Sequence, residues 1–131
     1  MNGITFAISQ ITIAYNQENE MVDFYNQLLN ADLSPFKVGK FRFYKGKIGG
    51  IGLLFCPNEM LGIKSEKNNI QFTLQVSNLE EVLSKVSQCG GKQIQRINRQ
   101  ESQSSVGISD PDGNSIELLE IKTISSSVLK G

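Results

Sequence analysis

The sequence contains no histidine and no tryptophan. Histidine is the usual general base near neutral pH and a frequent ligand of zinc, nickel and iron, so its absence excludes a Ser-His-Asp or Cys-His catalytic site. The sequence also lacks an excess of charge of either sign, because 13 lysines and arginines balance 13 aspartates and glutamates. Since no block of like charges offers a surface to a polyanion, nucleic acid is not an expected partner.

Long apolar runs are missing as well. None approaches the roughly 18 residues of a membrane span, and the segment from Met1 to Tyr15 has no basic start and no small-residue cleavage site. We therefore expect a cytoplasmic protein that does not enter a membrane. Cysteine is scarce, and Cys56 and Cys89 end apolar stretches without a C-x-x-C spacing, which predicts reduced, packed thiols rather than a disulfide or redox pair.

The first half of the chain, about residues 5–56, has the pattern of a β-α-β-β-β unit. Alternation over Ile11–Tyr15 predicts a strand, and apolar residues at helical spacing predict a helix between about Asn19 and Leu29. Glycines then separate three further predicted strands, near Leu33–Val38, Lys40–Lys45 and Gly50–Cys56.

The second half, about residues 70–121, repeats this order. Alternation predicts a strand over Ile70–Val76, and Asn78 followed by Glu81 resembles a capping box before a second helix. The predicted strands that follow are Gln93–Asn98, Ser104–Ser109 and Ser115–Ile121, the last two joined by a turn at residues 110–113. We expect residues 57–69 to be a polar linker and the serine-rich residues 122–131 to be a mobile tail.

The two halves align at an offset of 61 residues, which sets Gln10-Ile11-Thr12-Ile13 beside Gln71-Phe72-Thr73-Leu74. Two such units predict one α+β domain over residues 1–131, with a curved mixed sheet that forms a half-open barrel and helices on its convex side. Alternation leaves Gln10, Thr12, Gln71 and Thr73 on the concave face, and we assign Gly52, Leu54, Glu117 and Leu119 to the same cavity.

These features resemble the glyoxalase/bleomycin-resistance/dioxygenase superfamily, also called vicinal oxygen chelate proteins. The resemblance covers nearly the whole chain and rests on the duplicated unit and on two motifs, Phe24-Tyr25-x-x-Leu28-Leu29 and Asp110-Pro111-Asp112-Gly113-Asn114-x-x-Glu117-Leu118. It implies that the first and last strands of each module supply metal ligands in the metal-dependent members. The corresponding positions here are Gln10, Gly52, Gln71 and Glu117.

Only Glu117 is of the usual ligand type among these four positions. Two neutral amides and one carboxylate make a weak site for zinc, nickel or ferrous iron, so we expect no metal cofactor. If a cation binds to Gln10, Gln71 and Glu117, oxygen ligands favour magnesium, manganese or calcium. The alternative is that both glutamines recognise a ligand or are structural, and that Glu117 pairs with an arginine, namely Arg42, Arg96 or Arg99.

The resemblance implies a protein that binds a small molecule in a concave pocket, as bleomycin-resistance proteins do, without changing bonds. The candidate ligand-binding residues are Gln10, Thr12, Gln71, Thr73, Phe43, Leu54 and Leu119, with Phe41 and Tyr44 as further wall candidates and Arg42 for an anionic ligand. An alternative is a lyase, isomerase or dioxygenase-like enzyme in which Glu117 is the catalytic base or a cation ligand. A third is a purely structural or interaction role, and the resemblance implies a homodimer.

Overall fold

The computed structural model describes residues 4–5, 7–61 and 71–122, which form two successive β-α-β-β-β units. The first unit contains β1 (Gln10–Tyr15), α1 (Glu18–Leu29), β2 (Ser34–Val38), β3 (Phe41–Ile48), β4 (Ile51–Pro57) and the short α2 (Asn58–Leu61). The second contains β5 (Phe72–Gln75), α3 (Leu79–Val86), β6 (Lys92–Gln93), β7 (Asn98–Arg99), β8 (Gln103–Ser109) and β9 (Ser115–Ile121). The predicted α+β fold of two similar modules is confirmed.

Each module builds its own mixed sheet with the same connectivity. The first sheet has the order β1-β4-β3-β2, and the second has the order β5-β9-β8-β6, with β7 also paired to β8. The first strand of each module runs parallel to the last one, and the remaining pairs are antiparallel. Repetition of the topology, as well as of the sequence, therefore makes the two modules structurally equivalent.

Helices α1 and α3 cover one face of the sheets, and one apolar core extends through both modules. The last strands contribute Leu53 and Phe55 from β4, and Ile116 and Leu118 from β9, each at most 2% exposed. Burying side chains of this size contributes about 1.5–3 kcal/mol each. No helix among the described residues is both long and apolar enough to cross a membrane.

The capping box predicted at Asn78 is formed in part. The Asn78 side chain accepts a hydrogen bond of 3.1 Å from the Glu81 backbone N–H, which satisfies one donor of the first turn of α3. Helix α1 has no such cap of its own, because its N-cap residue Gln17 makes no capping hydrogen bond through its side chain. A distant residue provides that cap, as described below.

The structure differs from the predicted strands at two places. Strand β3 does not end at Gly46 but continues to Ile48. Gly46 does not turn the chain; its lack of a side chain lets the Ala31 carbonyl approach the strand closely. The predicted strand Gln93–Asn98 is instead two short strands, β6 and β7, since the Gln95 side chain crosses above Gly107 of β8 and interrupts the ladder.

The predicted linker of residues 57–69 begins with ordered elements. Pro57 is the last residue of β4, and α2 follows it directly. The rest of that segment lies outside the described residues, and so does the predicted tail beyond Lys122.

Candidate functional site

Each sheet has one face that points away from the helices, and we call these the first and second open faces. In the first sheet Gln10 pairs with Gly52 and Thr12 with Leu54, so all four lie on the first open face. In the second sheet Thr73 pairs with Glu117, and Gln75 with Leu119, on the second open face. Within each module, these candidate residues therefore lie on one face of the sheet, as the alternation of the sequence predicted.

On the second open face Thr73 contacts Glu117 directly. The Thr73 hydroxyl donates a hydrogen bond of 2.9 Å to Oε1 of the half-buried Glu117. Just before β5, the Gln71 amide Nε2 donates to the Ser115 hydroxyl at 2.5 Å. These bonds orient the carboxylate and the amide, and no hydrogen bond between described residues engages Glu117 Oε2.

On the first open face the candidate residues are more exposed. Gln10 Nε2 donates a hydrogen bond of 3.3 Å to the Thr12 hydroxyl, and both side chains are exposed. A Cβ added at Gly52 would lie only 2.9 Å from the Ser9 carbonyl oxygen. The close approach of the chain around β1 therefore favours glycine at this position. Within the described ranges, no hydrogen bond joins Gln10 or Thr12 to Glu117 or Gln71.

The residues at the four positions where the resemblance implies metal ligands do not suit a transition metal. Gly52 has no side chain, and the two glutamines offer neutral amide oxygens beside the single carboxylate of Glu117. Zinc, nickel and ferrous iron favour imidazole or thiolate ligands. In the part of the chain that the structure describes, no three Cys, Asp or Glu side chains group closely enough to hold a metal.

Two further cavities are present, and none of the predicted ligand-binding residues, nor Glu117, lines either of them. The larger, of about 390 Å³, is lined by Tyr15, Asn16, Glu18, Pro57, Asn58 and Glu59. The other, of about 330 Å³, is lined by Pro35, Phe36, Lys37, Arg42 and Tyr44. Arg42 and Tyr44, which were further candidates for ligand contact and for the pocket wall, thus line the second cavity, whereas the other candidates lie outside both.

Tyr44 and Arg42 do not lie on the first open face, contrary to the expectation that they help to form its wall or meet a ligand there. Tyr44 is buried and its hydroxyl donates to Glu18 Oε2 at 2.5 Å, and Arg42 Nη1 contacts the same oxygen at 3.3 Å. Burial, and then the bond to Glu18, raise the pKa of Tyr44. Successive side chains of a strand point to opposite faces of the sheet. Phe41 and Phe43 therefore lie on the first open face, and Arg42 and Tyr44 lie on the other face.

Two of the three arginines considered as alternative partners of Glu117 are engaged in other ion pairs. Arg42 pairs with Glu18, and Arg99 forms a very short contact with Glu80. Arg96 makes no ion pair with a described residue. The hydrogen bond to Glu117 comes from Thr73 instead, and within the described ranges Glu117 forms no ion pair.

Sequence reasoning missed three residues of the first open face: Phe36, Lys45 and Lys47. Phe36 is paired with Phe43 across β2 and β3, and the two rings stack with centroids 5.5 Å apart. Lys45 pairs with Leu54, and Lys47 pairs with Gly52, so both lysines project on the same side as the predicted ligand residues. The alternation Phe43-x-Lys45-x-Lys47 contained this signal.

The second sequence motif has a structural role that joins the modules. Asp110, which is 2% exposed, accepts hydrogen bonds from the Tyr25 hydroxyl, from the Asp112 N–H and from both nitrogens of Asn114. Burial raises the pKa of Asp110, while the bonds from Asn114 and Tyr25 oppose that rise. Asp112 accepts from the backbone N–H groups of Asn16 at 2.7 Å and Gln17 at 3.1 Å, and so caps the start of α1.

Two equivalent modules, each with an open sheet face opposite its helix, define the class of paired-module α+β proteins. Residues 10–119 match the family described as a glyoxalase-like domain, and the chain belongs to that family. No curated protein matches the sequence.

Solved structures share the fold at low sequence identity. The chain is similar to a genomically encoded fosfomycin resistance protein, FosX, from Listeria monocytogenes, with 15% identity, coverage of 91% of this chain and 96% of that one, and a TM-score of 0.72. It is also similar to TnmS3, an antibiotic binding protein from Streptomyces sp. CB03234, with 15% identity, coverage of 92% and 100%, and a TM-score of 0.68. A glyoxalase-related enzyme from Fulvimarina pelagi matches at 16% identity, with coverage of 87% of both chains and a TM-score of 0.68.

Proposed function

We propose that this chain binds a small organic molecule on its open sheet faces, without a transition metal and without changing bonds. One observation carries the proposal: the fold of the family is retained, while its metal-ligand positions hold Gln10, Gly52, Gln71 and Glu117. Two proteins of this fold, an antibiotic binding protein and a fosfomycin resistance protein, support a small-molecule role.

The polar groups on these faces are suited to recognition. An amide offers both donor and acceptor atoms, and a carboxylate offers acceptors, so Gln10, Gln71 and Glu117 can match several functional groups of one ligand. Thr73 holds one carboxylate oxygen in place, which lowers the entropy lost when a ligand binds the other. Leu54 and Leu119, on the same faces, supply apolar contact.

Two measurements test this function. Elemental analysis of the protein, purified without chelators, should find no zinc, nickel or iron near one per chain, and one such ion bound stoichiometrically would overturn the metal-free proposal. A fragment library titrated into labelled protein should shift the amide resonances of Thr12, Leu54, Thr73 and Leu119. Shifts confined to the helices, or none at all, would contradict binding at the open faces.

The alternative to a metal-free site is a site for a divalent cation that prefers oxygen ligands. Magnesium, manganese or calcium would use Gln10, Gln71 and Glu117. Paramagnetic broadening by manganese provides the measurement, because a bound ion broadens the resonances of Thr73 and Glu117 before any others. Broadening spread over all surface carboxylates would indicate unspecific binding and leave the metal-free form standing.

The proposal includes a homodimer in the cytoplasm. Exposed open faces support it, since a second copy could close each of them into a pocket, and free thiols at Cys56 and Cys89 suit a reducing compartment. Analytical ultracentrifugation should give a mass near twice that of the chain. A monomer at every concentration would remove the dimer from the proposal.

A second candidate is an enzyme that uses Glu117 as a general base for a lyase, isomerase or dioxygenase-like reaction. The observation in its favour is the arrangement of the carboxylate, whose Oε1 is held by Thr73 while no described residue bonds Oε2. Such an oxygen could abstract a proton from a carbon beside a carbonyl group. Glu117→Gln should then abolish turnover and preserve binding, whereas the matched variant Glu20→Gln, in α1, should leave both unchanged.

A further inference from the structure

We propose that the first open face binds an aromatic anion, whose ring packs on Phe36 and Phe43 and whose charge is met by Lys45 and Lys47. This inference rests on the proposed function, because it names the ligand chemistry of the same face. It adds three residues to the site and a sign of charge to the ligand.

The aromatic end of the face is accessible to a ligand. Phe36 and Phe43 stack at an interplanar angle of 26°, and Phe36 remains 41% exposed despite this contact. Beside them on β2, Val38 is 53% exposed. A pair of stacked rings that leaves one ring face open gains stabilisation from a further planar group laid against it.

The other end of the face carries positive charge that the protein itself leaves unpaired. Lys45 and Lys47 are exposed and form no ion pair with any residue that the structure describes. Across the sheet from them stand neutral residues, since Lys45 pairs with Leu54 and Lys47 with Gly52. Two unpaired cations on one face favour an anionic ligand by charge complementarity.

The spacing of these groups limits the size of the ligand. Alternate residues of an extended strand lie roughly 7 Å apart, so Lys45 is one such step from Phe43 and Lys47 is two. A ligand with one or two fused rings and an acidic group on a short arm spans the distance from Phe43 to Lys45. A large polyanion would instead need charge along the whole face, where Phe36, Phe43 and Leu54 offer none.

A matched pair of probes separates the anion from the ring. 1-Naphthaleneacetate and its neutral amide, 1-naphthaleneacetamide, share the ring and differ in charge, and each is titrated into the full chain by NMR. The acetate should bind at least fivefold more tightly than the amide, and its resonance shifts should centre on Phe43, Lys45 and Leu54.

Variants then identify the residues responsible. The double variant Lys45→Gln/Lys47→Gln should weaken the binding of the acetate about fivefold or more, because each exposed charge pair contributes a factor of a few to the affinity. It should leave the affinity for the amide unchanged. The charge-matched control is Lys37→Gln/Lys85→Gln, with Lys37 on the opposite face of the first sheet and Lys85 on α3. Phe36→Ala should weaken both probes about three- to tenfold.

The possible outcomes distinguish this inference from the proposed function. Equal affinity for acetate and amide, or equal loss in the control double variant, overturns the anionic ligand and leaves small-molecule binding intact. If neither probe binds, the inference fails, and the proposed function fails with it only when the fragment library also gives no shifts on the open faces. The double variant Lys45→Gln/Lys47→Gln could also change the mass of the oligomer without changing the affinity for the acetate. That result would show that the lysines contact a second copy of the chain, and it would also overturn the inference.

Discussion

The Tyr25 hydroxyl donates a hydrogen bond of 2.7 Å to Asp110 Oδ2, and this bond joins two buried side chains that are 85 residues apart in the sequence. Tyr25 belongs to α1 of the first module, and Asp110 begins the turn between β8 and β9 of the second. Asp110 and Tyr25 thus belong to the two motifs that most resemble the family. Their contact explains the presence of an acidic residue in a site from which water is almost excluded.

Removal of this hydroxyl should destabilise the protein. Tyr25→Phe leaves a buried carboxylate with one donor fewer, which costs about 1–3 kcal/mol of the free energy of unfolding. Urea unfolding followed by circular dichroism measures the loss. The matched control is Tyr44→Phe, which removes a bond to the more exposed Glu18 and should cost less. An equal cost for the two variants would contradict a special role of the buried pair.

The cap that Asp112 provides to α1 should be measurable separately. Asp112→Ala leaves the N–H groups of Asn16 and Gln17 without their carboxylate acceptor, and a lost cap costs about 0.5–2 kcal/mol. Asp23→Ala, at an exposed position within α1, removes the same charge without a cap and should change stability by less than about 0.5 kcal/mol. Amide hydrogen exchange in the first turn of α1 should accelerate only in the first variant.

The family motifs illustrate how far the sequence predicts the structure. Alternation at Gln10 and Thr12, and at Thr73, correctly predicted the faces of β1 and β5, because one side of each sheet must pack on helices. The turn at residues 110–113 was predicted from its composition. That Asp112 would cap a helix 95 residues earlier could not be predicted, since it depends on how the two modules pack.

The candidate site was predicted less completely than the fold. The residues on each open face were identified, but no distance between Gln10 and Glu117 follows from strand periodicity, which fixes a face and not the separation of two sheets. Lys45 and Lys47 could not be joined to Leu54 and Gly52 from the sequence, because the two pairs of residues lie on neighbouring strands, β3 and β4. Pairing register, which the sequence alone does not fix, was needed to bring them together.

All three tyrosines should resist ionisation in the folded protein. Burial raises the pKa of Tyr15 from its ordinary 10.0 to about 12, and it also raises the pKa of Tyr25 and Tyr44. Above pH 10.0 the folded state therefore keeps protons that the unfolded chain releases. The contribution of the tyrosines to the free energy of unfolding is complete below pH 10.0 and is lost as the pH rises through their pKa values in the folded protein.

An alkaline titration followed by phenolate absorbance measures this difference. At pH 10.0 the folded protein should show little phenolate, whereas in urea about half of the tyrosines should be ionised. Midpoints of urea unfolding should fall between pH 10 and 12. A folded-state titration centred at 10.0 would contradict the burial of these hydroxyl groups.

The glycine at position 46 should be intolerant of any side chain. A Cβ there would lie 2.2 Å from the Ala31 carbonyl oxygen, which is backbone and which accepts the Lys47 N–H, so it cannot move without loss of that bond. Gly46→Ala should therefore cost about 1–3 kcal/mol of the free energy of unfolding. The matched control is Gly50→Ala, where a Cβ meets nothing within 4 Å and the backbone is not left-handed, so a neutral or slightly stabilising change is expected. Thermal unfolding of both variants compares them directly, and a Gly46→Ala protein as stable as Gly50→Ala would show that β3 and the Ala31 loop pack less closely than described.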